Sequence, residues 1–201
     1  MTSEQPEKPT ALLLLDYQVG LCESGPHCRV PGLAESIAER DVLGHAARVL
    51  DAARRAGLFV AHARLAFDAS YASRTNLTPR FDAYPAEDAM LGDSPEARIV
   101  DALKPAADEP VVDKGCVDPF IGTPLLEMLI GRRVRDVLLC GVATNLVVES
   151  AARHAADSGL GVTVIEDACA SFADDAHEFS MTRIMPMFAA VRAAEDVVGE
   201  L

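Results

Sequence analysis

Positive charge is scarce in this chain: 18 lysines and arginines stand against 31 aspartates and glutamates, a formal net charge of −13. That balance opposes non-specific electrostatic binding to nucleic acid or to an anionic membrane, both of which need a basic surface. A small-molecule or protein partner is expected instead. No apolar run approaches the ~20 residues of a membrane-spanning helix. The opening MTSEQPEKPT has neither the basic n-region nor the apolar h-region of a signal peptide. The five cysteines, Cys22, Cys28, Cys116, Cys140 and Cys169, form no CxxC pair and are odd in number. This argues against a disulfide scaffold in a chain with so much core-forming sequence, and a reducing, cytoplasmic location is expected. CESGPHC, with Cys22, His27 and Cys28, matches no standard zinc spacing, so no metal is expected there.

Of the 201 residues, 50% are hydrophobic and 24% charged, enough for one full core with little room for a second. The expectation is a flexible tail over residues 1–10 and one domain over 11–201. Apolar runs of strand length alternate with amphipathic stretches of helical length. This is the pattern of a single three-layer α/β domain, a mostly parallel, Rossmann-like sheet flanked by helices. Strands are expected at Ala11–Leu15, Leu58–Leu65, Pro110–Lys114, Asp136–Val142, Val162–Ile165 and Ala189–Ala194. Helices are expected at Val42–Ala56, stopped by Gly57; at Pro95–Leu103; within Pro119–Ile130; at Leu146–Ser158, ended by Gly159; and at Asp174–Met185, broken near Pro186. Ala66–Ser94 is long, polar and punctuated by Pro79, Pro85 and Gly92. Irregular chain of that length is usually functional or mobile, and it is read here as a lid over a pocket.

In an open parallel sheet, ligands bind beyond the carboxyl ends of the strands, near the switch in strand order. Asp16, Lys114 and the turn Gly141–Asn145 all fall just past expected strand ends, so three distant segments converge on one edge. Asp16 follows four leucines; it is either a cap or loop hydrogen-bonding group, or a partly desolvated carboxyl with a raised pKa. Lys114 is the only lysine between Lys104 and the C-terminus. It is either a solvated strand end or, beside Asp16, an ammonium that anchors a carboxylate or stabilises developing negative charge. GVATN on its own reads as a tight turn with Thr144 or Asn145 as N-cap.

Taken together, LLLLDYQ (Leu12 to Gln18), VVDKG (Val111 to Gly115), CVDPFIGTPL (Cys116 to Leu125) and GVATNLVVESAARHA (Gly141 to Ala155) resemble the isochorismatase-like hydrolases. That family usually carries an Asp, Lys and Cys triad. The resemblance implies the fold above, no cofactor, a small-molecule substrate and a homo-oligomer. It makes Asp16 the general acid or base and Lys114 its partner. GxxTxxC puts the family cysteine at position 147, which is Val147 here. The resemblance further implies a non-proline cis peptide between Val142 and Ala143, in a turn through Thr144 that aims backbone N–H groups at an oxyanion. Gln18, Phe120 and Asn145 are the expected substrate-binding residues, Phe120 as a pocket wall; Thr123, in register with the family pattern, is also read as a helix cap.

Arg64, Arg74 and Arg80 lie at the mouth of the lid segment or within it. Each is a solvated loop arginine or a bidentate clamp for a substrate carboxylate, with Arg74 and Arg80 the main candidates. Cys116, two residues beyond Lys114, is the one cysteine placed to replace a displaced nucleophile, whereas Cys140 reads as a buried small hydrophobe. His62, His154 and His177 fall on a strand and two helices, where packing is the preferred reading. Valine at 147 excludes a thioester at that position. The isochorismatases proper also lack the cysteine and hydrolyse an enol ether by protonating the vinyl carbon and adding water. The expected function is therefore cofactor-free hydrolysis of a small anionic metabolite, an enol ether first. The alternatives are an amidase using activated water or Cys116, and a non-catalytic binding protein that keeps the pocket.

Overall fold

The computed structural model describes residues 9–201; residues 1–8 of the expected tail lie outside the described residues. Six strands, β1 (Thr10–Leu15), β2 (Phe59–Leu65), β3 (Val111–Lys114), β4 (Asp136–Val142), β5 (Gly161–Ala170) and β6 (Ala190–Arg192), form one sheet in the order β3-β2-β1-β4-β5-β6. Every pairing is parallel. The all-apolar run of β1 follows from its central position, since Ala11 to Leu15 are buried on both faces. Helix α3 (Val42–Arg55) leads from β1 to β2, and α6 (Glu149–Asp157) leads from β4 to β5. The strand order reverses between β1 and β4, so right-handed crossovers put these two helices on opposite faces and open a crevice between the two strand ends. No helix among the described residues is long and apolar enough to cross a membrane.

Several elements differ from the expectation, each for a local reason. The helix expected over Pro95–Leu103 is replaced by two 3₁₀ turns, Pro95–Ala97 and Asp101–Leu103. Between them the chain is extended and bonds to the loop after β1: Val19 N donates to Arg98 O at 2.8 Å and Val100 N to Tyr17 O at 3.0 Å. Pairing with that loop wins over local helix propensity. Strand β5 continues to Ala170 past Glu166 and Asp167, which interrupt its apolar pattern. The helix expected from Leu146 starts earlier, as a π-helical turn over Thr144–Val148 that runs into α6. The helix expected over Asp174–Met185 divides into α7 (Asp174–Phe179), a π-helical turn at Ser180–Ile184 and a 3₁₀ turn at Met185–Met187. Helices α1 (Val19–Cys22), α2 (Pro31–Glu39) and α8 (Ala194–Glu200) have no counterpart among the expected elements. The lid segment contains a helix of its own, α4 (Pro79–Ala86). A separate apolar cluster of Leu65, Phe67, Tyr71, Phe81 and Met90 fastens it to the end of β2.

Two glycines fix how closely the segments around the crevice approach. A Cβ on Gly141 would lie 2.4 Å from Leu15 O, and one on Gly115 would lie 1.9 Å from Ser73 O in the lid segment. Both obstacles are backbone and cannot rotate away. Gly141→Ala is therefore expected to push β4 from β1 and to destabilise the protein by about 1–3 kcal/mol, the usual cost of overpacking. Urea unfolding measures this, and an unchanged midpoint would contradict the close approach.

Candidate active site

Asp16 leaves β1 in the left-handed region, with φ 58, a conformation that aspartate tolerates better than most side chains. Its backbone N–H donates to Ala63 O at 2.8 Å, and its carboxylate meets Lys114 from the end of β3, two strands away. Lys114 Nζ lies 2.8 Å from Asp16 Oδ2, and the side chains are only 1% and 9% exposed. Lys114 Nζ also donates to Cys116 O at 3.0 Å. Asp16 Oδ1 is buried and has no hydrogen-bond partner among the described residues. Burial raises the Asp16 carboxyl above its usual range, against the opposing pull of Lys114. The arrangement is a carboxyl with one oxygen held by an ammonium and the other free to exchange a proton.

These two groups line a small pocket of about 40 Å³. The peptide bond between Val142 and Ala143 is cis, and both residues line the pocket, followed by Leu146 and Val147 from the π-helical turn. Leu21, Val117 and Phe172 close the sides, while Arg80, Phe81 and Tyr84 cover it from α4. Asp16, Lys114, Arg80 and Tyr84 are the only lining residues with polar side-chain atoms. Among the described residues, no group of three or more His, Cys, Asp or Glu is arranged to hold a metal ion.

The other expected residues are distributed unevenly. Arg80 is at the mouth, its guanidinium 4.9 Å from the Phe172 ring centre, and it pairs with no carboxylate among the described residues. Arg74 is instead ion-paired with Asp82, and Arg64 with Asp113 at 2.6 Å; neither lines the pocket. Gln18 is fully buried, but both its N–H bonds go to backbone, Leu65 O at 2.9 Å and Ala97 O at 3.0 Å, while its Oε1 accepts from Leu65 N. It ties the loop after β1 to the end of β2 and does not line the pocket. Phe120 packs against His154, ring centres 4.8 Å apart, within the main core, so it forms no pocket wall. Asn145 accepts from Ser171 Oγ at 2.5 Å and likewise stays outside the lining. Thr123 stands one residue before the N-cap Pro124 of α5 (Leu125–Gly131), so it is not the cap itself; its Oγ1 donates to Pro119 O and accepts from Leu125 N at 3.3 Å. Cys116 directs its thiol at Asp118 O and Ile121 O, away from the pocket. Cys140 is buried in the sheet, its thiol pushed up to about 12 by desolvation.

Sequence reasoning missed Tyr84 and Phe172 as lining residues, and it missed His177. Tyr84 lies in the segment expected to be an irregular lid over a pocket, although FDAYP after Pro79 carries aromatics at helical spacing. His177 is buried on α7 and meets Thr144 Oγ1 at 2.7 Å through Nδ1.

Residues 10–196 match the family described as Isochorismatase domain. An isochorismatase family protein of Escherichia coli is 30% identical over 96% of this chain and 97% of its own length. A maleamate amidohydrolase of Pseudomonas putida is 25% identical over 95% of this chain and 86% of its own. The crystal structure of a cysteine hydrolase from Pseudomonas syringae superposes with a TM-score of 0.83 at 25% identity, covering 94% of this chain and 91% of that one. With its parallel sheet and its strand-end carboxyl and ammonium, the chain belongs to the isochorismatase family of hydrolases.

Proposed function

We propose that the protein hydrolyses a small anionic metabolite without a cofactor and without a covalent intermediate on the protein. Asp16 is the acid or base, Lys114 its electrostatic partner, and Arg80 the group that reads the substrate's negative charge. The chemistry of the pocket lining carries this reading. It holds a carboxyl with a raised pKa but no cysteine, serine, threonine or histidine. Val147, where the family resemblance puts the nucleophilic cysteine, offers neither lone pair nor proton. We take the enzyme to be cytoplasmic, in keeping with its five free cysteines, and homo-oligomeric as the resemblance implies.

An enol ether is the first substrate class. The Asp16 proton passes to the terminal vinyl carbon, leaving an oxocarbenium ion. Water adds to that ion and returns a proton to the Asp16 carboxylate, and the hemiketal collapses to a ketone and a free alcohol. An amide is the second class, favoured by the likeness to a maleamate amidohydrolase. There the Asp16 carboxylate would take a proton from water as the water attacks the carbonyl carbon, and the amine would leave after protonation. Lys114 would stabilise the negative charge developing on oxygen.

The two classes use opposite protonation states of one carboxyl, so the pH profile separates them. Burial raises the Asp16 pKa. As an acid, Asp16 is active below that raised value, and kcat/KM falls as pH rises through it; as a base it is active above, and kcat/KM rises. Isochorismate and maleamate are the substrates to compare. Asp16→Asn is expected to lower turnover by about 10²–10⁴-fold with far less effect on KM. A thermal melt is needed alongside, because the variant leaves the Lys114 ammonium buried without its counter-charge. Full turnover by a folded Asp16→Asn protein would end the acid–base reading. Release of a tightly bound ligand unchanged by the unmutated protein would make it a binding protein.

Arg80→Ala is expected to raise KM for the anionic substrate by roughly 10–100-fold, the worth of a hydrogen bond to a charged group. An unchanged KM would remove Arg80 from recognition. Thiol reagents should leave turnover intact, and so should Cys116→Ser, since the Cys116 thiol is directed at backbone carbonyls. Loss of turnover in that variant, with an acyl adduct on Cys116 of the parent enzyme, would show that the nucleophile had moved.

A further inference from the structure

His177 takes no part in the chemistry above, yet it is buried and joined at both ring nitrogens. Its Nε2 lies 2.8 Å from Arg40 Nη2, and its Nδ1 lies 2.7 Å from Thr144 Oγ1. A guanidinium can only donate, so Nε2 must accept and carries no proton. The hydrogen of the neutral ring is then on Nδ1, from which it is donated to Thr144 Oγ1. Desolvation and Arg40 hold the ring down at about 4 against the opposing influence of Asp174, so the neutral form prevails at physiological pH. Thr144 follows directly on Val142 and Ala143, which line the pocket beside Asp16. Both ring nitrogens of a buried histidine need partners, and here the partners are side chains from two other segments, Arg40 and Thr144, so the ring joins α7 to the turn that borders the pocket.

We propose that His177 is a positioning residue: Arg40 fixes its tautomer, and the Nδ1–H so placed holds Thr144 and, through it, the Val142–Ala143 wall of the pocket. The inference rests on the proposed function only in taking that wall as the border of the reaction site. A nearby contact supplies the control. Ser180 Oγ, in the turn after α7, donates to Glu149 Oε2 at 2.6 Å rather than to Thr144, fastening the same segment to α6.

Two measurements test this without any substrate, so their failure is distinct from failure of the hydrolase reading. In ¹⁵N spectra of the full-length protein at pH 7, the His177 ring should show a protonated Nδ1 and an unprotonated Nε2. The opposite tautomer would overturn the proposal. The second measurement uses Val147→Cys as a reporter, alkylated with iodoacetamide in the wall itself. Adding His177→Leu or Thr144→Val should change the alkylation rate by about threefold or more, the two together no more than either alone, because both remove one contact. His177→Asn, whose amide can still donate near the Nδ1 position, should restore most of the parent rate, and Ser180→Ala should leave it unchanged. Equal rates throughout, or a change that Ser180→Ala reproduces, would mean that His177 only packs α7 against its neighbours. Thr144→Val keeps the size of the side chain, so it decides the matter even if His177→Leu folds poorly.

Discussion

The contact between Asp16 and Lys114 joins the ends of β1 and β3 across the intervening β2, and the rest of the site is arranged around it. Bringing two ions out of water costs several kcal/mol each, and one ion pair returns that only when the remaining lone pairs and protons are satisfied. Here they are only partly satisfied. Lys114 gains a second acceptor in Cys116 O, but Asp16 keeps one buried oxygen without a partner. A fold optimised for stability alone would favour apolar residues at both positions. The arrangement is intelligible as a proton-exchanging carboxyl whose pKa burial raises and which an ammonium keeps in place.

Around that polar floor the walls are apolar, which decides what chemistry the pocket supports. Val142, Val147, Leu21 and Leu65 are among the apolar residues that line the pocket with the carboxyl. Low polarity raises the carboxyl pKa and strengthens any charge stabilisation by Lys114. The lining holds no cysteine, serine or threonine, so the proposed reaction relies on a proton and a water molecule, and valine in the turn and a raised Asp16 pKa fit that proposal together.

The strand pattern of the parallel sheet was legible because central strands buried on both faces must be almost wholly apolar. Leu12 to Leu15 and Val137 to Cys140 announce themselves, and Asp16 stands out as the charged residue that ends such a run, whereas Lys114 ends the edge strand β3, which alternates exposed and buried residues. What the sequence hid were choices made by tertiary pairing. Arg98 to Val100 is extended because Tyr17 and Val19 offer backbone partners, which no local pattern reveals. Gln18 and Phe120 carry the family pattern yet serve the scaffold, because a motif records that a residue is needed without saying which neighbour needs it. His177 was indistinguishable from a packing histidine until Arg40 and Thr144, remote in sequence, met its two nitrogens. The cis peptide followed from resemblance alone, since composition carries no sign of it.

The lid explains how so small a pocket can belong to an enzyme. Its volume of about 40 Å³ is well below the roughly 300–1,000 Å³ of ordinary ligand sites, so a metabolite needs α4 to move. An ion pair that ties this segment to the rest of the domain, Arg29 with Glu87, has a partner more than half exposed, and such pairs contribute little, at most about 1 kcal/mol each; the pair of Arg74 with Asp82 lies wholly within the segment. The attachment to β2 is apolar, through the cluster that joins Phe67, Tyr71, Phe81 and Met90 to Leu65, with Tyr84 packed against Phe67 and Phe81. Arg80 and Tyr84 share α4, so a shift of that helix moves the charge reader and the aromatic cover together. On the proposed reading, a substrate anion that engages Arg80 would bear on the same helix that covers the route to Asp16, coupling recognition at the mouth to access at the floor.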